Sequence, residues 1–244
     1  GSTEQNLRDL LPLVDACTAA RCCFATDDRH ADMLAREGHI DDCIRKAVAC
    51  GLEVEQALRM ATLSAAGQFG LHDRGAIAPG RLADFCVVDD PDRFCVARTF
   101  KCGVEVVDVG YHPPACPAVP LHVRMPEPRD IRITGRGEAR VIGIVPGQIV
   151  TRDLRYTVDA AAIPDTDRDI LKAVVTDRYR AGGSGVGLVQ GFGLREGALA
   201  GSVSHDSHNI VAVGVDDADI IHAIREVVRL GGGLVVVSGD DVTT

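Results

Sequence analysis

Cys22-Cys23-Phe24-Ala25-Thr26-Asp27-Asp28-Arg29-His30 is the stretch on which the fold turns. Four apolar residues without polar alternation suit a strand buried on both faces, as in a parallel sheet. The run stops at Thr26, so the polar cluster lies just beyond the expected strand's C-terminal end. That edge is where parallel α/β folds bind ligands. Two adjacent carboxylates there are able to ligate a metal, or one can act as a general base. Taken alone, such a pair more often caps the helix that follows.

Outward from this stretch the periodicity is helical. On the N-terminal side Leu7, Leu10, Leu11, Val14 and Cys17 predict a helix over residues 6–20, kinked at Pro12. On the C-terminal side Ile40, Cys43, Ile44, Ala47 and Val48 line one face of a helix that Gly51 ends. Val54, Ala57, Leu58 and Ala61 line another, fading into Gly67 and Gly70. From Leu71 the period shortens, and glycines punctuate β-rich runs at 85–88 and 104–109. Six prolines between Pro113 and Pro128 mark residues 112–129 as a linker.

Beyond the linker an α+β unit is expected. Its strands are placed at 141–145, 186–190, 198–203, 210–215 and 234–237, with helices near 167–180 and 218–230. Ser204-His205-Asp206-Ser207-His208-Asn209 is the densest polar cluster, between two apolar strands. Two imidazoles three apart with an intervening Asp are able to bind metal or relay protons, and a solvated turn is the alternative. The run Gly182-Gly183-Ser184-Gly185-Val186-Gly187 follows an expected helix and precedes a strand. A phosphate cradle has the reverse order, so this run reads as a turn. His39, His72, His112, His122 and His222 are isolated and read as structural or solvent-facing.

Composition bounds the function. The 244 residues are 46% hydrophobic and 25% charged, with a net charge of -9, which opposes binding to nucleic acid. No apolar run approaches the roughly 20 residues that span a bilayer, so no membrane association is expected. The first residues lack a basic start and an apolar core, so a cytoplasmic location is expected. The nine cysteines, all between Cys17 and Cys116, form no CxxC pair and read as reduced, buried small hydrophobes.

The chain also resembles the bacterial adenine deaminases of the amidohydrolase superfamily. The resemblance rests on Phe24-Ala25-Thr26-Asp27-Asp28-Arg29, Glu37-Gly38-His39-Ile40-Asp41 and Met60-Ala61-Thr62-Leu63. It continues through residues 75–84, Gly191-Phe192-Gly193-Leu194 and residues 196–210, and so spans essentially the whole chain. The run at 79–84 is generic to many amidohydrolases; TDDR, EGHID and SHDSHN in this order are specific.

The resemblance implies an α/β chain in three parts. Residues 1–66 would be the last β/α portion of an amidohydrolase (β/α)8 barrel. Residues 67–125 would be strands of a small β-sandwich with the Pro-rich linker, and 126–244 the appended α+β C-terminal domain. It implies a binuclear divalent metal, manganese or iron with zinc as an alternative, and a water that attacks C6 of adenine. Asp27 corresponds to the aspartate after the eighth barrel strand that ligates metal and shuttles the proton. Asp28 and Arg29 are candidates for supporting it, and His205, Asp206, Ser207, His208 and Asn209 for closing over or contacting the purine. The zinc base deaminases are excluded, since H-x-E and P-C-x-x-C are both absent.

The family's other ligands, a His-x-His pair, a bridging glutamate and two further histidines, have no counterpart here. The expectation is therefore a central-to-C-terminal piece of an adenine deaminase serving purine salvage, with Asp27 alone unable to hold a binuclear site. The expected partner is a complementing barrel segment, or a second copy of the chain (a homo-oligomer) that covers the apolar faces a partial barrel leaves exposed. The alternatives are a non-catalytic purine-binding or barrel-completing module, and an amidohydrolase of another cyclic amide or amine.

Overall fold

The computed structural model describes residues 5–90, 93–107, 120–205 and 207–244. It is a mixed α/β chain of two compact units, residues 1–113 with 147–149, and residues 114–146 with 150–244.

The first unit is built from short helices and a small sheet. Helix α1 (Leu7–Leu10) passes into a 3-10 turn at Leu11–Leu13, and the next helical turn, also 3-10, is Ala19–Arg21. The single helix expected over 6–20 is thus broken. Pro12 lacks the N–H that an α-helix needs there and sits at the start of the 3-10 turn. Residues 22–25 are not a strand; they pair with no strand among the described residues, and only the following Thr26 is buried. An isolated apolar run has no ladder to join, whatever its composition.

Helices α2 (Ala31–Glu37), α3 (Ile40–Ala49), α4 (Val54–Ala61) and α5 (Leu63–Gln68) follow. The apolar stripes of α3 and α4 place Cys43, Ile44, Ala47, Ala57 and Met60 in the interior. Strands β1 (Phe85–Val88), β2 (Val96–Lys101) and β3 (Val104–Glu105) form an antiparallel sheet in sequence order. Phe85 stacks on Phe100 across the β1–β2 pair at 4.5 Å between ring centroids. β3 is shorter than the expected 104–109, of which 108 and 109 lie outside the described residues. Among the described cysteines only Cys43 is buried, so the reading of all nine as core residues fails; Cys116 lies outside the described residues.

The second unit is an eight-stranded sheet carrying one long helix. Its strands are β4 (Arg136–Ile144), β5 (Thr151–Asp159), β6 (Leu171–Thr176), β7 (Ser184–Gln190), β8 (Ala198–Gly201), β9 (Ile210–Gly214), β10 (Leu234–Ser238) and β11 (Asp241–Thr243). Their order is β11-β10-β8-β9-β6-β7-β4-β5, antiparallel except at β4–β7. Helix α6 (Asp217–Leu230) opens where Asp216 accepts hydrogen bonds from the amides of Ala218 and Asp219. It closes at Gly231, whose left-handed φ of +76° suits glycine. Its stripe of Ile220, Ile224 and Val227 packs on Val174, Ile210, Ala212, Val235 and Val237 to make the main core.

The helix expected near 167–180 is instead the central strand β6. Leu171, Val174 and Val175 have helical spacing, but β6 is hydrogen-bonded on both sides, to β7 and β9, and carries apolar residues on both faces. A strand buried on both faces loses the alternation that would distinguish it. Of the glycine-rich run expected as a turn, only Gly182 and Gly183 belong to the connection between β6 and β7, where Asp177 accepts from the amides of Tyr179 and Gly182; Ser184–Gly187 form the start of β7 instead.

Ile224 is fully buried in this core and Leu13 is 73% exposed. Ile224→Ala should therefore destabilise the second unit by about 2–5 kcal/mol, while Leu13→Ala should stay within about 0.5 kcal/mol of the parent. Urea unfolding followed by circular dichroism checks both; equal effects would contradict this assignment of the core.

Candidate functional site

Asp27 follows the buried Thr26 and is itself exposed, with a left-handed backbone at φ +51°. Few residues other than glycine adopt this conformation, although Asp tolerates it better than most. The Arg29 amide donates to the Asp27 carbonyl at 2.9 Å, closing a tight turn over Asp28.

Both flanks of this turn are tied to the segment Glu37–Lys46. The Thr26 hydroxyl and His39 Nε2 share a hydrogen bond of 2.8 Å. The Arg29 side chain, only 6% exposed, donates from Nη2 to Glu37 Oε2 at 2.7 Å and to Asp42 Oδ2 at 2.8 Å. Lys46 Nζ joins the same two carboxylates at 3.1 and 2.8 Å. Two buried or half-buried cations thus face two anions, the arrangement that makes charge burial tolerable.

The pentapeptide Glu37-Gly38-His39-Ile40-Asp41 can be read position by position. Glu37 receives Arg29 and Lys46. Gly38, at φ +100°, lets the chain leave α2, and a Cβ there would lie 2.5 Å from Asp41 Oδ2. His39 meets Thr26, and its amide donates to Asp41 Oδ1 at 2.7 Å. Ile40 opens α3, and Asp41 pairs with Arg45 at 2.8 Å. His39, which spacing alone left as an isolated residue, is therefore part of the Asp27 loop's support. The signal that could have found it is EGHID following TDDR within one helix length.

In the second unit the polar cluster is the connection from β8 to β9. Ser202 anchors its start, exchanging hydrogen bonds with Gly233 through the Ser202 amide at 3.0 Å and hydroxyl at 2.9 Å. The His208 amide donates to the Ser204 carbonyl at 2.7 Å and the Ser207 amide to the His205 carbonyl at 2.9 Å. The Ser204 and Ser207 hydroxyls are 3.1 Å apart. His205, Ser207 and His208 are exposed, and His208 has φ +49°. Asn209 is half-buried, and its Oδ1 is buried with no hydrogen-bond partner among the described residues. Asp206 lies outside the described residues.

Residues 2–106 match the amidohydrolase family model, and residues 148–244 match that of the adenine deaminase C-terminal domain. The adenine deaminase of Methanoculleus marisnigri is 84% identical over 243 residues, covering 100% of this chain and 47% of that protein. That of Methanoregula boonei is 55% identical, over 100% of the chain and 44% of the relative. That of Dehalococcoides mccartyi is 41% identical, over 97% and 44%. By sequence this chain is a relative of the adenine deaminases. It spans somewhat under half the length of these curated relatives.

Members of the amidohydrolase family generally use divalent metals. Among the described residues no three His, Cys, Asp or Glu side chains lie together in a way that could hold a metal ion. Asp27 and Asp28 are adjacent carboxylates on one loop, and the described residues do not bring a third donor to them. Among them, no helix is long and apolar enough to cross a membrane.

Burial pushes the Asp42 carboxyl up, but hydrogen bonds from Lys46 and Arg29 outweigh it and hold the group below the usual carboxylate range. A carboxyl lowered on folding contributes its full stability above its unfolded value, near 4, and loses it as pH falls through the folded value. The thermal midpoint of the first unit should therefore fall as pH drops below about 5. Asp42→Asn should lower the midpoint at pH 7 and flatten that acid decline. Calorimetry between pH 3 and 7 tests this, and parallel curves for the two proteins would remove Asp42 from the cause.

Proposed function

We propose that this chain contributes Asp27 and the appended domain to an adenine deaminase, which converts adenine and water to hypoxanthine and ammonia. The observation that carries this reading is 84% identity along the whole chain to a protein named adenine deaminase. The order of the two family matches, amidohydrolase then adenine deaminase C-terminal domain, supports it. On this reading residues 1–66 belong to a (β/α)8 barrel, 67–125 to a β-sandwich with its linker, and 126–244 to the appended domain.

The reaction forms a C6–O bond and breaks the C6–N bond to the exocyclic amine. The Asp27 carboxylate would take a proton from the attacking water and return it to the departing nitrogen, general acid–base work suited to an exposed carboxylate on a fixed loop. In the whole protein a divalent metal (manganese or iron, with zinc as an alternative) would have Asp27 as one ligand. Its remaining donors would come from outside the residues described here, in a complementing barrel segment, and a homo-oligomer would cover the apolar faces of a partial barrel. Asp28 and Arg29 would support Asp27. His205, Asp206, Ser207, His208 and Asn209 would close over the purine or hydrogen-bond to it. The setting would be cytoplasmic purine salvage.

A second reading, a purine-binding or barrel-completing module without catalysis, draws on the absence of a three-donor cluster among the described residues. Adenine turnover with excess manganese or iron(II) separates the two. A full-length protein should release ammonia from adenine and not from pyrimidines or cyclic amides, and the 244-residue chain alone should release none. Asp27→Asn in the full-length protein should cut kcat by about 100-fold or more. Replacing His205 and His208 by Ala should cut turnover by about tenfold or more. An inactive full-length protein that still binds adenine would favour the module.

A further inference from the structure

We propose that Arg29 and His39 are positioning residues: by tying the two flanks of Asp27 to the segment Glu37–Lys46, they hold Asp27 in its left-handed conformation and so aim its carboxylate. The inference rests on the reading above, in which Asp27 is the reacting carboxylate.

Three observations carry it. First, Asp27 at φ +51° sits in a conformation that persists only where its surroundings over-determine it. The surroundings that do so here are the flanking anchors, since Asp27 itself is exposed. Second, those anchors are long-range. Thr26 reaches His39, and Arg29 reaches Glu37 and Asp42, so the loop is fixed to the start of α3 and to the turn before it. Arg29 spans 13 residues to Asp42 and is nearly fully buried, though it lies only two residues from an exposed carboxylate.

Third, the arrangement is poorer than one shaped for stability alone. Arg29 Nε is buried with no hydrogen-bond partner among the described residues, and both acidic partners take the same Nη2. A guanidinium used as a bidentate clamp would satisfy more of its donors. An unsatisfied buried donor beside a strained backbone is the pattern expected where geometry at a reacting group is maintained against local preference. His39 completes the bracket from the other side, and its own backbone is pinned by Asp41.

The test reads the backbone of Asp27 directly. In the 244-residue chain, the carbon-13 Cα and Cβ shifts of Asp27 should report a left-handed residue. Arg29→Met and His39→Ala should each move them toward the ordinary range while the signals of α6 stay in place. Should Arg29→Met fail to fold, Arg29→Lys, which keeps the charge and loses the planar fork, takes its place. In the full-length protein, at a temperature where each variant is fully folded, Arg29→Met should lower kcat by about tenfold or more and leave the KM for adenine within about twofold. Arg29→Lys should recover part of the loss.

A left-handed signature retained in both folded variants would overturn the anchoring. A signature lost while kcat stays at the parent value, with Asp27→Asn still impaired, would overturn the catalytic part of the proposal. If Asp27→Asn also left kcat unchanged, the fault would lie in the reading of Asp27 and not in the anchors.

Discussion

A buried guanidinium must find carboxylates or it destabilises whatever buries it, and in the first unit that requirement falls on Arg29. Its partners, Glu37 and Asp42, sit on either side of the break between α2 and α3, so the pairing fixes both helices and the loop before them. The break must be tight for the two anions to converge, and Gly38 makes it so, since a side chain there would collide with Asp41. Lys46, one turn beyond Asp42, then balances the second negative charge. Glu37, Gly38, Asp42 and Lys46 thus follow from the demand to neutralise one cation, while His39 meets the loop separately at Thr26.

The second unit is held by a different principle. Its core is aliphatic, α6 lying on β8, β9 and β10 through fully buried isoleucine and valine side chains. The one buried cation among its described residues, Lys172 on β6, reaches Asp217 in the first turn of α6, where a carboxylate also meets the positive end of the helix. That ion pair sits at the rim of an apolar layer and adds a directional contact to packing that is otherwise non-directional. In the first unit charge organises the backbone, whereas in the second the backbone organises a single charge.

This difference explains which features were legible in the sequence. Helices α3, α4 and α6 carry one-sided apolar stripes, α3 and α6 with glycine stops, and their spans follow from periodicity. Strand β6 was hidden because burial on both faces erases alternation, and β5 because its Arg152, Asp153 and Arg155 give an edge strand a polar surface. Residues 22–25 have the composition of a buried strand, yet strand formation is a property of pairs, and one member of a pair does not reveal whether the other is present.

The candidate site divides along the same line. The chemical type of Asp27 and its place beyond an apolar run were readable from composition alone, although a helix cap is the commoner reading of such a pair until TDDR is set beside EGHID. The work of His39 was not, because an isolated imidazole has no spacing signature, and its meaning depends on a hydrogen bond 13 residues back to Thr26. Nor was the strain at Asp27, since φ is set by what grips the flanks and not by the residue itself. A reactive carboxylate is thus cheap to specify in sequence and demanding to orient. On the proposed reading, most of the specificity in TDDR and EGHID concerns orientation: Asp27 would act, and Arg29 and His39 would decide where it points.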